Sequence, residues 1–84
     1  MNIITQEDLN DEIKILENDF SKAMKHLKSL HRREKDIKIR NITRDWVECF
    51  LDLYQIRGNK VDYNNDPDFL RLTAIRDKMF KLYQ

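Results

Sequence analysis

The chain has 84 residues, with one glycine, one proline and one cysteine. So few turn-forming residues, set among 37% charged residues, read as mostly helix with few turns. Cys49 has no second cysteine with which to close an internal disulfide, and no Cys/His cluster is present to hold a structural zinc. A lone cysteine without a secretory leader fits a reducing, cytoplasmic setting. No apolar run exceeds two or three residues, so no segment can span a bilayer and no membrane partner is expected. A Gly-rich phosphate loop, a Ser/His/Asp arrangement and a metal-ligand cluster are also missing, so neither an enzyme nor a cofactor is expected.

What the chain has is charge sorted along its length. The net charge is only +1. Residues 1–21 nevertheless carry Lys14 against six anions, for −5, and residues 22–44 carry nine cations against Glu34 and Asp36, for +7. Residues 45–84 carry six cations against seven anions, for −1. A near-neutral total suggests no electrostatic partner, whereas a block of +7 allows one.

Apolar spacing locates the helices. Thr5 is a natural N-cap, followed by Gln6, Glu7 and Asp8, with Ile4 and Leu9 at the two staple positions. Leu9, Ile13, Leu16, Phe20, Ala23, Leu27 and Leu30 then recur at steps of four and three, the narrow seam of a helix packed lengthwise on another. The next seam position is Glu34, so a break is expected within 32–41, with Asp36 or Asn41 capping the second helix. Ile39, Ile42, Trp46, Cys49, Phe50, Leu53 and Ile56 form the second apolar row, and Gly58 suits its C-terminal end. Asp66 and Pro67 restart a helix that carries Phe69, Leu72, Ile75, Met79, Leu82 and Tyr83. The expected fold is all-α: one domain of three helices, at about 6–31, about 37–57 and about 67–83, forming a helical hairpin or bundle with a long heptad-patterned first helix.

A chain this short has a thin folding margin and no covalent or metal staple, so self-association is expected to add buried area. The candidate self-association seam is Leu9, Ile13, Leu16, Phe20, Leu27 and Leu30. An antiparallel copy would set the acidic half of the first helix against its basic half. The competing expectation is that the second and third helices cover this seam within one chain.

The candidate partner surface is Lys25, Lys28, Arg32, Arg33, Lys38, Arg40 and Arg44. Arg-rich surface at a helix junction is what phosphate contacts need, and His26 and His31 could add charge below neutral pH. Against nucleic acid, no aromatic residue interleaves with the block. Solvated surface and dipole-complementing cations are the plain reading of the same residues.

Other patterns carry less. Asp62, Asn64, Asp66 and Asp68 alternate as in a calcium-binding loop, but Pro67 stands where the turn needs Gly and Thr73 where a bidentate Glu is needed. His26 and His31 are five apart and do not share a helix face. Cys49 reads as a small core residue, and Asn41-Ile42-Thr43 as a chance match to a glycosylation acceptor. Small helical dimers of the chorismate mutase type share this length and helix order, but they need several Arg and Lys converging on a dicarboxylate, and Lys14 is the one cation through residue 21.

Richness in Asn, Ile and Lys points to an AT-rich coding source such as a phage or a low-GC bacterium, where small helical chains often serve as accessory or inhibitor proteins. The expected function is therefore non-enzymatic: a regulatory, homo-oligomeric chain that binds a protein partner. The alternative is a binder of nucleic acid or a small nucleotide through 22–44.

Overall fold

Thr5 does start the first helix. Its hydroxyl accepts a hydrogen bond from the Asp8 N–H, and the Asp8 carboxylate accepts one from the Thr5 N–H, each at 3.1 Å. This reciprocal box satisfies amides that a helix start leaves unpaired. Helix α1 spans Gln6–His26 and tightens into one 3-10 turn, Leu27–Ser29. Helix α2 spans Arg32–Arg57, and α3 spans Pro67–Lys81. The computed structural model describes residues 3–82, and among them there is no strand: the protein is an all-α bundle of three helices. Tyr83, expected in the third helix, lies outside the described residues.

The apolar seam of α1 is spent inside the chain. Leu9, Ile13, Leu16, Phe20 and Ala23 share one core with Ile42, Cys49 and Leu53 of α2 and with Phe69, Leu72, Ile75 and Met79 of α3. Leu27 is buried as well, and Leu30 partly so. The expected self-association seam of Leu9, Ile13, Leu16, Phe20, Leu27 and Leu30 is thus not a free face for a second copy. Two tethered apolar helices cover it without the translational entropy that a second molecule would lose. Trp46, Phe50 and Tyr54 sit in contact along α2, with ring centroids 5.2 and 4.8 Å apart, and Phe50 also meets Phe69 at 5.8 Å.

The break after α1 comes earlier than the heptad argument places it. Leu30 and His31 are extended, and His31 is the N-cap of α2. Asp36 and Asn41, expected as caps, lie inside α2. With no Gly or Pro in the segment, packing sets the turn: Leu27 is buried below it, and Ile39 and Ile42 bring the start of α2 back over the core. The charged residues from 32 to 38 extend α2 without interrupting it, since Arg, Glu and Lys are good helix formers.

At the opposite end, charged residues fix the register. Arg57, the last residue of α2, donates from Nε to Asp66 at 3.0 Å, from Nη2 to Asp68 at 2.8 Å and from Nη1 to the side-chain Oε1 of Gln6. Gln6 Nε2 in turn donates to Asp68 at 2.7 Å. This clasp gathers the start of α1, the end of α2 and the start of α3, so α2 runs antiparallel to both neighbours. Asp66 also caps α3, accepting from the Asp68 and Phe69 amides. Trp46 Nε1 donates to the Leu72 carbonyl at 2.7 Å, which holds α2 against the middle of α3. Gly58 ends α2 at φ +63, a conformation that a side chain would strain.

Candidate functional site

The expected partner surface is assembled at the α1–α2 junction. Lys25 lies in the last turn of α1, Lys28 in the 3-10 turn, Arg32 and Arg33 in the first turn of α2, and Lys38, Arg40 and Arg44 further along α2. All seven are exposed. Among the described residues, no cation of 22–44 makes an ion pair, whereas Arg57, Arg71 and Arg76 all do. Nine cations without an ion pair among the described residues, against Glu34 and Asp36 in the same segment, favour a positive potential over the turn and the first half of α2 that an anionic partner would relieve.

The turn divides these cations between two helices, earlier in the chain than the spacing places it. Lys22, Lys25 and Lys28 stay with α1, and Arg32 and Lys35 belong to α2. Lys38, Asn41 and Asp45 of α2 line one shallow depression with Asp19, Lys22 and Ala23 of α1, so two carboxylates share it with the two lysines. Arg33, Arg40 and Arg44 fall on the outer face of α2, at steps of seven and four. Ile37 lies between Arg33 and Arg40 on this face and is 51% exposed. Its position is off the spacing of the core row of α2.

The start of α2 contributes donors of its own. His31 makes no side-chain capping bond, so the first amides of α2 lack the side-chain acceptor that Thr5 gives α1 and Asp66 gives α3. His26 and His31 are both exposed. Ser29 closes the turn by donating its hydroxyl to the His26 carbonyl at 2.9 Å.

A second, acidic region faces solvent where α1 and α2 pack. Glu12, Ile15 and Asp19 of α1 line a groove with Asp45, Glu48 and Cys49 of α2. A hydrogen bond to Asp52, then burial, then the charges of Asp52, Asp8 and Glu48 push the Glu12 carboxyl up to about 7 from 4.5. Burial, followed by the charges of Glu12, Asp52, Asp45 and Glu48, pushes the Cys49 thiol up to about 12, so it stays protonated and unreactive. The pairing of Glu12 with Asp52 was not legible in the sequence, because the two residues meet only once α1 and α2 fold back on each other.

The acidic run 62–68 is committed to structure. Asp62 accepts from the Asn64 amide and the Asn65 side chain, each at 3.1 Å, which lowers its pKa, and Asp66 and Asp68 serve the clasp. Arg57 as their common partner was missed by sequence reasoning. Among the described residues, no group of three or more His, Cys, Asp or Glu side chains is placed to hold a metal ion. No helix there is long and apolar enough to cross a membrane.

No protein-family model matches the chain, and no match to it was found among curated proteins or among solved structures.

Proposed function

We propose that this protein works by binding and engages an acidic protein surface through Lys25, Lys28, Arg32, Arg33, Lys38, Arg40 and Arg44. One observation carries the reading: these exposed cations have no ion-pair partner in their own fold, among the described residues, while every arginine from 57 onward has one. Ile37, exposed within the cationic row of α2, favours an amphipathic acidic helix over a bare polyanion. A regulatory role, as an accessory or inhibitor protein of phage type, fits a small chain whose chemistry is confined to its surface.

The test uses two probes, a labelled Glu/Leu amphipathic peptide and a DNA oligonucleotide, each titrated at about 50 mM and about 200 mM salt. The peptide is expected to bind at both concentrations and to weaken when Ile37→Ser removes the apolar contact. If joint neutralisation of Arg32, Arg33, Arg40 and Arg44 leaves peptide affinity unchanged, the reading fails.

The second reading is a phosphate ligand, either nucleic acid or a small nucleotide. The absence of a side-chain cap on α2 supports it, since Arg32 and Arg33 flank amides that could receive an anion. It predicts oligonucleotide or nucleotide binding that falls steeply with salt and ignores Ile37→Ser.

A further inference from the structure

With the α1 seam spent inside the bundle, a second copy of the chain would need another surface, and the outer face of α2 offers one with matching symmetry. Arg33, Ile37, Arg40, Arg44, Glu48 and Leu51 recur at steps of four, three, four, four and three, and all six are exposed. The row is basic over its first half and acidic and apolar over its second. Its spacing is also symmetric about Arg44. Ile37 and Leu51 each lie seven residues from it, and Arg40 and Glu48 each lie four.

We infer that two copies pair through this face, with their α2 helices antiparallel about a two-fold axis passing near Arg44. Antiparallel pairing in this register sets Ile37 of each copy on Leu51 of the other, and Arg40 on Glu48. Each contact occurs twice, as an isologous interface requires. Ile37 and Leu51 are 51% and 59% exposed in the single chain, so the pairing removes four large apolar side chains from water. Arg44 meets its own counterpart on the axis and lies one turn from Glu48 of the second copy, whose charge offsets that approach. A parallel pairing would oppose Arg40 to Arg40 and Glu48 to Glu48, and like charges across a helix pair are unfavourable. The inference goes beyond the partner reading and stands apart from it, although the two share Arg33, Ile37, Arg40 and Arg44, so an acidic partner and a second copy would compete for this face.

Sedimentation of the purified chain alone, over a concentration series, tests the pairing without reference to any partner. The expected result is a monomer–dimer equilibrium that weakens about tenfold or more in Arg40→Glu and in Glu48→Arg, because each reversal acts at both symmetric contacts. The double variant, with both reversals, restores the affinity. Circular dichroism is unchanged throughout, since both positions are exposed. Arg44→Cys tests the register: under mild oxidation it gives a covalent dimer, while the buried Cys49 of the unsubstituted chain gives none. A chain that stays monomeric up to about 1 mM overturns the inference. So does a dimer indifferent to both reversals, or one that R44C cannot trap.

Discussion

The two ends of this bundle treat charge in opposite ways. At the clasp end, Arg57 sits within hydrogen-bond distance of Asp66, Asp68 and Gln6, and both aspartates are buried. At the junction end, Lys25, Lys28, Arg32, Arg33, Lys38, Arg40 and Arg44 project into solvent with no ion-pair partner among the described residues. A buried charge must be paired or it destabilises the fold, so the clasp is constrained by folding. An exposed charge costs the fold little either way, so the junction is free to be shaped by binding. Function is therefore sought where stability is indifferent to the residue.

Substitutions can break or sharpen that contrast. The largest effect is expected between the two ends, at the shared core. Leu16→Asp places a carboxylate where the side chain is 2% exposed, and loss of the helical circular dichroism signal at 25 °C is the expected outcome. A compact, folded monomer would instead mean that the seam serves association. Next comes the clasp: Arg57→Ala leaves buried Asp66 without a cation and buried Asp68 with only Arg71, at 3.8 Å. Breaking such a pair costs several kcal/mol, discounted here to about 2–3 kcal/mol because Arg57 itself is 23% exposed, and urea denaturation should show the loss. At the junction, Arg33→Ala, Arg40→Ala and Arg44→Ala should each change the unfolding free energy read by the same urea titration by less than about 0.5 kcal/mol. If any of them approached the Arg57 effect, the contrast would collapse.

A pH effect separates the acidic groove from both ends. Glu12 titrates near 7 in the folded chain against 4.5 as a free group, so between those values the folded state holds a proton that the unfolded state has lost. Its contribution to stability is complete below the unfolded pKa and disappears as pH rises through about 7. Stability measured at about pH 5 and about pH 8 should therefore differ through this group, with the higher value at the lower pH. Glu12→Gln, which keeps a donor for Asp52, should flatten that difference. An unchanged pH profile would show that the carboxyl pair is not held together in solution.

Much of the fold was legible because it follows from local chemistry. Thr5 and Asp66 act as caps, Gly58 ends α2, and the core rows of all three helices lie at the expected spacings. The first break was misplaced because the heptad failing at Glu34 marks only where the apolar seam stops. The backbone had already turned at Leu30, where burial of Leu27 on one side and Ile39 on the other decided the angle. The candidate surface was legible as a set of cations at a helix junction, and which of them each helix carries was not, because the turn comes at Leu30 and His31. Ile37 and Leu51 needed a known core direction before their exposure could mean anything.

Composition and spacing by themselves determined the helical class, the three amphipathic rows and the sorting of charge, because caps, periodicity and propensity act within a few residues of chain. Tertiary structure alone decided that the α1 seam is covered from within, that Arg57 gathers two aspartates, that Glu12 meets Asp52, and that the outer row of α2 is left to solvent. Those outcomes depend on residues far apart in sequence, whose encounters are set by how the three helices pack.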